Sequence, residues 1–165
     1  MNRNLLLAIL FLSLAVLPIV RTQTQRIALG MKPLDLSFTA DDGSQVNLAS
    51  LRGKVVLVDF WATWCPSCME EAPTVVTAYN TMHAKGFEVV GISLDQDRNQ
   101  MESVTRERGM AWPQYFDGKG WSNDIARRYG IHAIPTMWLI DKNGKLVDTN
   151  GRENLQDKVA KLLAE

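Results

Sequence analysis

From residue 33 onward, apolar and polar positions fall into blocks whose period changes between two and about 3.6. Leu34-Asp35-Leu36-Ser37-Phe38 alternates singly, as a half-buried strand does, and Gln45-Val46-Asn47-Leu48 alternates again after the turn Asp41-Asp42-Gly43. The two predict a β-hairpin. Val55-Val56-Leu57-Val58-Asp59-Phe60-Trp61 is almost continuously apolar and rich in β-branched residues, the pattern of a central strand covered on both faces. A helix is predicted from Cys65 to about Lys85, kinked at Pro73 and stopped by Gly86. Phe87 to Leu94 is a second strand. Asp97 to Arg108 is a helix capped by Asp95 or Asp97 and stopped by Gly109, and Trp121 to Tyr129 a shorter one stopped by Gly130. Thr136 to Ile140 reads as a strand, Asn143-Gly144 as a hairpin turn into Leu146-Val147-Asp148, and Asn154 to Ala164 as a closing amphipathic helix. The order of strands and helices predicts one α/β layered domain over residues 33–164.

The first residues follow another pattern. Met1-Asn2-Arg3-Asn4 is a short basic start, and Leu5 to Val20 is apolar except for Ser13 and Pro18. That layout predicts an apolar N-terminal helix serving as a signal peptide or a membrane anchor, with a polar linker over residues 21–32. The leader with the start of its linker occupies residues 1–26. The apolar run is shorter than the roughly 20 residues that usually span a bilayer, and Pro18-Ile19-Val20-Arg21 is a poor cleavage site, so anchor and cleaved signal both stay open. No cysteine follows the run, which excludes lipid attachment there. Either outcome places the domain outside the cytosol, where a disulfide persists.

At 165 residues the chain supports one domain with a core of its own. Its 18 basic and 18 acidic residues cancel, which excludes a broad electrostatic footprint for nucleic acid. Nothing in the pattern calls for an obligate oligomer, so a monomer is expected. Chemistry concentrates in Trp64-Cys65-Pro66-Ser67-Cys68, because Cys65 and Cys68 are the only cysteines. They can form one disulfide with each other and none with any other residue of the chain. At a helix start, residues three apart lie on one face with β-carbons about 5–6 Å apart, near bonding range. The sulfur of Cys65 would meet unpaired helical N–H groups and the positive end of the helix dipole, which favours its thiolate and makes it the attacking sulfur. Pro66 in the first turn loses no hydrogen bond there. Cys68, one turn inside, is the resolving thiol. Asp59 and Glu71 are the candidate proton acceptors: Asp59 because burial in a strand raises a carboxyl pKa, Glu71 because it shares a helix face with Cys68, whereas Glu70 points elsewhere. Of Trp61 and Trp64, one is expected to pack beneath the motif and one to line its rim. Trp112-Pro113 falls in a loop that either touches substrate or packs in the core. Arg106, Arg108, Arg127 and Arg128 read as solvated helix charges. His83 and His132 are isolated and two cysteines cannot supply four ligands, so no metal and no cofactor is expected.

Val58-Asp59-Phe60-Trp61-Ala62-Thr63-Trp64-Cys65-Pro66-Ser67-Cys68, with Pro73 five residues on and Ile134-Pro135-Thr136 later, resembles the active-site pattern of the thioredoxin superfamily. Gly53-Lys54-Val55-Val56-Leu57-Val58, Glu71-Ala72-Pro73, the hairpin at 34–48 and the extra strand–helix material around 97–129 narrow the resemblance to TlpA/ResA-like thiol–disulfide oxidoreductases of bacteria. It covers residues 33–164 and implies a thioredoxin-like α/β fold. That fold is a central mixed sheet flanked by helices, with an N-terminal hairpin extension and a strand–helix insertion. It further implies Cys65 as nucleophile, Cys68 as resolving thiol, Pro135 as a cis-proline facing the disulfide, and Trp64, Ile134, Pro135 and Thr136 as substrate contacts. Asp59 matches the buried acid of thioredoxin, and Glu71 the active-site glutamate of the ResA-like branch. Having both leaves the proton acceptor open.

The function so implied is reduction of oxidised protein partners in the periplasm or another extracytoplasmic space, apocytochrome c among them. A membrane thiol carrier would supply the electrons, and the leader, if uncleaved, would tether the domain to the inner membrane. A disulfide-donating oxidase uses the same residues at another potential. A thiol peroxidase fits the motif poorly. A binding or chaperone module using the Ile134–Thr136 groove would not need both cysteines.

Overall fold

The computed structural model describes residues 36–165. The apolar leader, its linker and the first two residues of the expected hairpin lie outside the described residues.

Strand β3 (Val55–Trp61) is the spine, with all seven residues buried. It pairs in parallel with β4 (Phe87–Ser93) on one edge and antiparallel with β6 (Thr136–Ile140) on the other. Strand β5 (Gln114–Phe116) extends the sheet beyond β4 and β7 (Leu146–Asp148) beyond β6, giving the order β5-β4-β3-β6-β7. Strands β1 (Ser37–Thr39) and β2 (Gln45–Asn47) form the expected hairpin as a separate two-stranded sheet. Its turn is tied to the domain by the bond from Asp41 N–H to the Gln114 carbonyl (2.8 Å) and by an ion pair between Asp41 and Arg98. With both edges and both faces taken, β3 can be apolar nearly throughout, which is how its sequence reads.

Helices cover both faces. Helix α1 (Pro66–Met82) buries Cys68, Ala72, Val75, Ala78 and Met82, a stripe at helical spacing, and packs against α4 (Leu155–Ala164) and β4. A short 3-10 turn, His83–Lys85, follows α1 and ends at Gly86 with φ 101°, where a residue without a β-carbon is favoured. Pro73 lies inside α1 and is exposed. On the opposite face, Trp138 of β6 sits edge-on between Phe60 of β3 and Tyr129, the residue closing α3 (Asp124–Arg128). Side chains alternate along a strand, so Phe60 faces α3 and its neighbour Asp59 faces α1.

The expected mixed sheet, hairpin and flanking helices are all present, and the structure settles their details. Helix α2 (Arg98–Arg108) is capped by Asp97, whose carboxylate accepts from Gln100 N–H, while Asp95 is used elsewhere. The helix expected over Trp121–Tyr129 is broken in two: a 3-10 turn at Gly120–Ser122, then α3. Asn123 causes the break. It is fully buried, its side-chain oxygen caps Ile125 and Ala126 N–H, and its amide donates to the Ser93 carbonyl. Trp112-Pro113 lies in a loop, as expected, and leads into strand β5 within the expected strand–helix insertion.

Gly91 of β4 lies level with Asp59 on one side and Gln114 on the other. The buried Gln114 amide crosses over Gly91 to accept from Trp61 Nε1 (3.0 Å). A β-carbon at Gly91 would overlap that amide. Gly91→Ala should therefore destabilise the protein by about 1–3 kcal/mol, through overpacking and loss of the Trp61–Gln114 bond. Urea unfolding of Gly91→Ala, Gln114→Ala and the double variant checks this. The cost of Gly91→Ala should shrink once Gln114 is truncated; strict additivity would disprove the overlap.

Candidate active site

The end of β3 delivers the chain into the motif, and a buried carboxylate fixes the connection. Asp95, just past β4, is 1% exposed. It accepts from Thr63 N–H (3.0 and 3.2 Å), Thr63 Oγ1 (2.6 Å) and Ser93 Oγ (2.8 Å). Three donors on one carboxylate satisfy it without a cation and clamp the turn that precedes Cys65. Trp61, on one side of that turn, is buried; Trp64, on the other, is half exposed. The expected division into one packed and one rim tryptophan is thus observed.

Cys65 and Cys68 are joined by a disulfide and both are 4% exposed. Cys65 is the N-cap of α1: its Sγ accepts from Cys68 N–H at 3.2 Å, and Ser67 Oγ lies 3.6 Å from the same sulfur. Pro66 occupies the first helical position and is exposed. These local features are the ones the motif predicts.

Two acidic side chains, Asp59 on the strand entering the motif and Glu71 on the helix leaving it, sit in different circumstances. Asp59 is buried in β3, its Oδ1 has no hydrogen-bond partner, and its pKa is raised from 3.8 to about 7. Burial is the main cause, and the negative charge of Glu71 adds to it. Glu71 is only partly buried and forms an ion pair with Arg152 (3.2 Å), from the loop before α4. Glu70 is exposed, as expected.

The Ile134–Pro135 peptide is cis. Thr136 opens β6 level with Phe60, so antiparallel register brings Pro135 to the end of β3 from which the motif emerges. Ile134, Pro135 and Thr136 are all partly exposed. Trp112 is buried and stacks near Tyr79 of α1 (5.3 Å between rings), so of its two expected roles it takes the packing one. Arg106, Arg108, Arg127 and Arg128 are exposed. Among the described residues no cluster of His, Cys, Asp and Glu could hold a metal.

Three participants escaped the sequence reading. Asp95 looked like a cap, Trp121 like the first residue of a helix, and Arg152 was not singled out at all. The available signal for Asp95 was its place just beyond the C-terminal end of a parallel strand, where sites in α/β sheets gather.

The Redoxin family model matches residues 28–164, and the chain belongs to that family. It is 31% identical over 124 residues to the thiol-disulfide oxidoreductase ResA of Bacillus thuringiensis (strain Al Hakam), covering 75% of this chain and 70% of that protein. Among solved structures, it matches the thioredoxin domain of a thiol-disulfide oxidoreductase from Bacteroides vulgatus with a TM-score of 0.73 and 30% identity, over 83% of this chain and 99% of that one. A secreted Mycobacterium tuberculosis disulfide oxidoreductase, homologous to E. coli DsbE, matches with a TM-score of 0.66 and 25% identity, over 77% and 96%. The fold is thioredoxin-like, and the chain is a thiol–disulfide oxidoreductase of the ResA/DsbE type with Cys65–Cys68 as its Cys-x-x-Cys pair.

Asp59 makes stability depend on pH. Below about 4 its carboxyl is protonated in both folded and unfolded chains. Between about 4 and 7 the unfolded chain releases the proton while the folded chain keeps it, so stability falls as pH rises. Above about 7 the full cost is present, up to roughly 4 kcal/mol for a shift of this size. Asp59→Asn removes the titration. Denaturant unfolding from pH 4 to 8 should show the variant gaining on the parent across that window; a constant difference would mean Asp59 titrates normally.

Proposed function

We propose that this Redoxin-family enzyme reduces protein disulfides outside the cytoplasmic membrane, with Cys65 attacking and Cys68 resolving. In the reduced enzyme, the Cys65 thiolate attacks one sulfur of a substrate disulfide. A Cys65–substrate disulfide forms and the other substrate sulfur leaves as thiolate. Cys68, losing its proton, then attacks Cys65 Sγ. The Cys65–Cys68 disulfide re-forms and the second substrate thiolate leaves, so two electrons have passed from the pair to the substrate. We assign the Cys68 proton to Asp59, a carboxylate held near neutrality in the strand leading to the motif. Glu71, engaged by Arg152, acts on Asp59 through its charge. We assign substrate contact to Trp64, next to Cys65 in sequence, and to the Ile134–Thr136 segment, which register brings to the same end of β3.

The observation that most supports the reductive direction is the electrostatic setting of the pair. A strongly oxidising pair is one whose reduced, thiolate form is stabilised. Here one backbone N–H reaches Cys65 Sγ, and Asp59, buried with an unpartnered oxygen in the strand leading to the motif, adds negative charge there once it ionises. Negative charge disfavours a thiolate, so electrons are held weakly and given up readily. The likeness to ResA supports the same direction, and the secreted M. tuberculosis relative supports an extracytoplasmic place. Within this reading, the oxidised haem-site cysteines of apocytochrome c are the substrate class, a membrane thiol carrier returns the electrons, and residues 1–26 export or tether the domain.

Equilibration of the pair against glutathione and dithiothreitol buffers tests the direction. A potential near or below about −250 mV is expected, and one near about −120 mV would make the enzyme a disulfide donor instead. The proton assignment has its own check. The rate of peptide-disulfide reduction by the parent should rise through about pH 7 as Asp59 ionises, and Asp59→Asn should lose that limb and fall roughly 10²-fold or more. An unaltered pH profile would transfer the role away from Asp59.

A further inference from the structure

Among the described residues, Trp64, Trp121 and Val147 are the large hydrophobic residues that remain exposed, and the two tryptophans stand together. Their rings are 5.8 Å apart and inclined at 56°, with 48% of Trp64 and 49% of Trp121 exposed. They border an open groove of about 500 Å³ whose other walls include Leu94, Gln96 and Lys119. Exposed indoles side by side are costly in water and are typical of surfaces that bind.

Both rings are held in place. Trp64 Nε1 donates to the Leu94 carbonyl (3.3 Å), and the turn before Trp64 is clamped by Asp95. Trp121 rides on the Gly120–Ser122 turn, which ends at the buried Asn123 anchored to Ser93. Gly120 has φ 56°, and a β-carbon there would press on Gln96. The two supports converge on one polar knot, because Ser93 also donates to Asp95. Lys119 is engaged by Asp124 (2.5 Å), so the groove offers apolar surface with no free charge on that wall.

We propose that the Trp64–Trp121 groove is a specificity subsite that takes an uncharged aromatic or large aliphatic side chain of the polypeptide substrate, close in sequence to the cysteine being reduced. The occupant follows from the chemistry. Trp64 immediately precedes Cys65, and the exchange step bonds the substrate cysteine to Cys65, so a residue next to that cysteine is brought to the groove mouth. Trp121 is then the residue through which the strand–helix insertion contributes to substrate choice. The proposal rests on the reading that the substrate is a polypeptide.

The test is single-turnover reduction of two disulfide-bonded peptides that differ in one residue beside the cysteine, Phe or Ala, by the reduced full-length enzyme. The parent should favour the Phe peptide by about tenfold in the second-order rate constant, carried by the half-saturating peptide concentration and not by the limiting rate. Trp121→Ala should bring the ratio close to one, and Trp121→Phe should keep most of it, with far-UV circular dichroism monitoring folding. Equal rates for the two peptides in the parent, or a preference that survives Trp121→Ala, would overturn the subsite alone. Inability of the parent to reduce either peptide would overturn the polypeptide-substrate reading and the subsite with it.

Discussion

Everything at the reactive end of this molecule hangs from β3. Its seven residues are buried, its edges are bonded to β4 and β6, and its C-terminal end runs into Ala62 and the Cys-x-x-Cys turn. Because side chains alternate across the strand, one face supplies Phe60 to the aromatic stack with Trp138 and Tyr129, and the other presents Asp59 beneath α1. A carboxylate there opposes folding whenever it is charged. It is retained in a site where a neutral apolar residue would pack as well, as expected when local stability and function conflict.

The second constraint is polar and links parts of the chain far apart in sequence. Thr63, Ser93, Asp95, Asn123 and Asp117 form one chain of hydrogen bonds. It joins the motif turn to the end of β4 and to the start of α3, so the insertion is part of the active-site scaffold. A network of this kind, whose central carboxylate is satisfied by neutral donors, fixes geometry more sharply than apolar packing alone. Its location also explains why two exposed tryptophans can be held within stacking distance: each is mounted on a segment that ends in the same knot.

The elements governed by local rules were legible in the sequence. Val55–Trp61 read as a central strand because both of its faces are covered, and α1 was bounded by Cys65–Pro66 and Gly86, residues whose backbone preferences act within a turn or two. The cis peptide at Pro135 was legible only through the resemblance, since position before a strand admits either isomer. The bounds of strand β5 were not legible from the pattern, because three residues are too few for a period and their strand character comes from pairing with β4. The break at Asn123 was missed for a related reason: its amide finds Ser93, thirty residues earlier, and no local pattern reports such a partner. The ion pair of Glu71 with Arg152 crosses 81 positions of sequence and belongs to tertiary structure, which a helix-face argument does not report.

That ion pair bears on how two carboxylates can divide one task. When neighbouring acids share a site, the roles are set by whatever separates their affinities for a proton. Asp59 lies in a dry strand with an unpartnered oxygen, and its affinity is raised to the neutral range. Glu71 lies nearer solvent, with a guanidinium to hold its charge. The negative charge of Glu71 increases the proton affinity of Asp59. In the proposed division of labour Asp59 moves the proton, and Glu71, paired with Arg152, supplies that charge. The same negative field works against a stable thiolate at the disulfide. In the proposed reading Asp59 therefore both times the proton transfer and biases the pair toward giving electrons away.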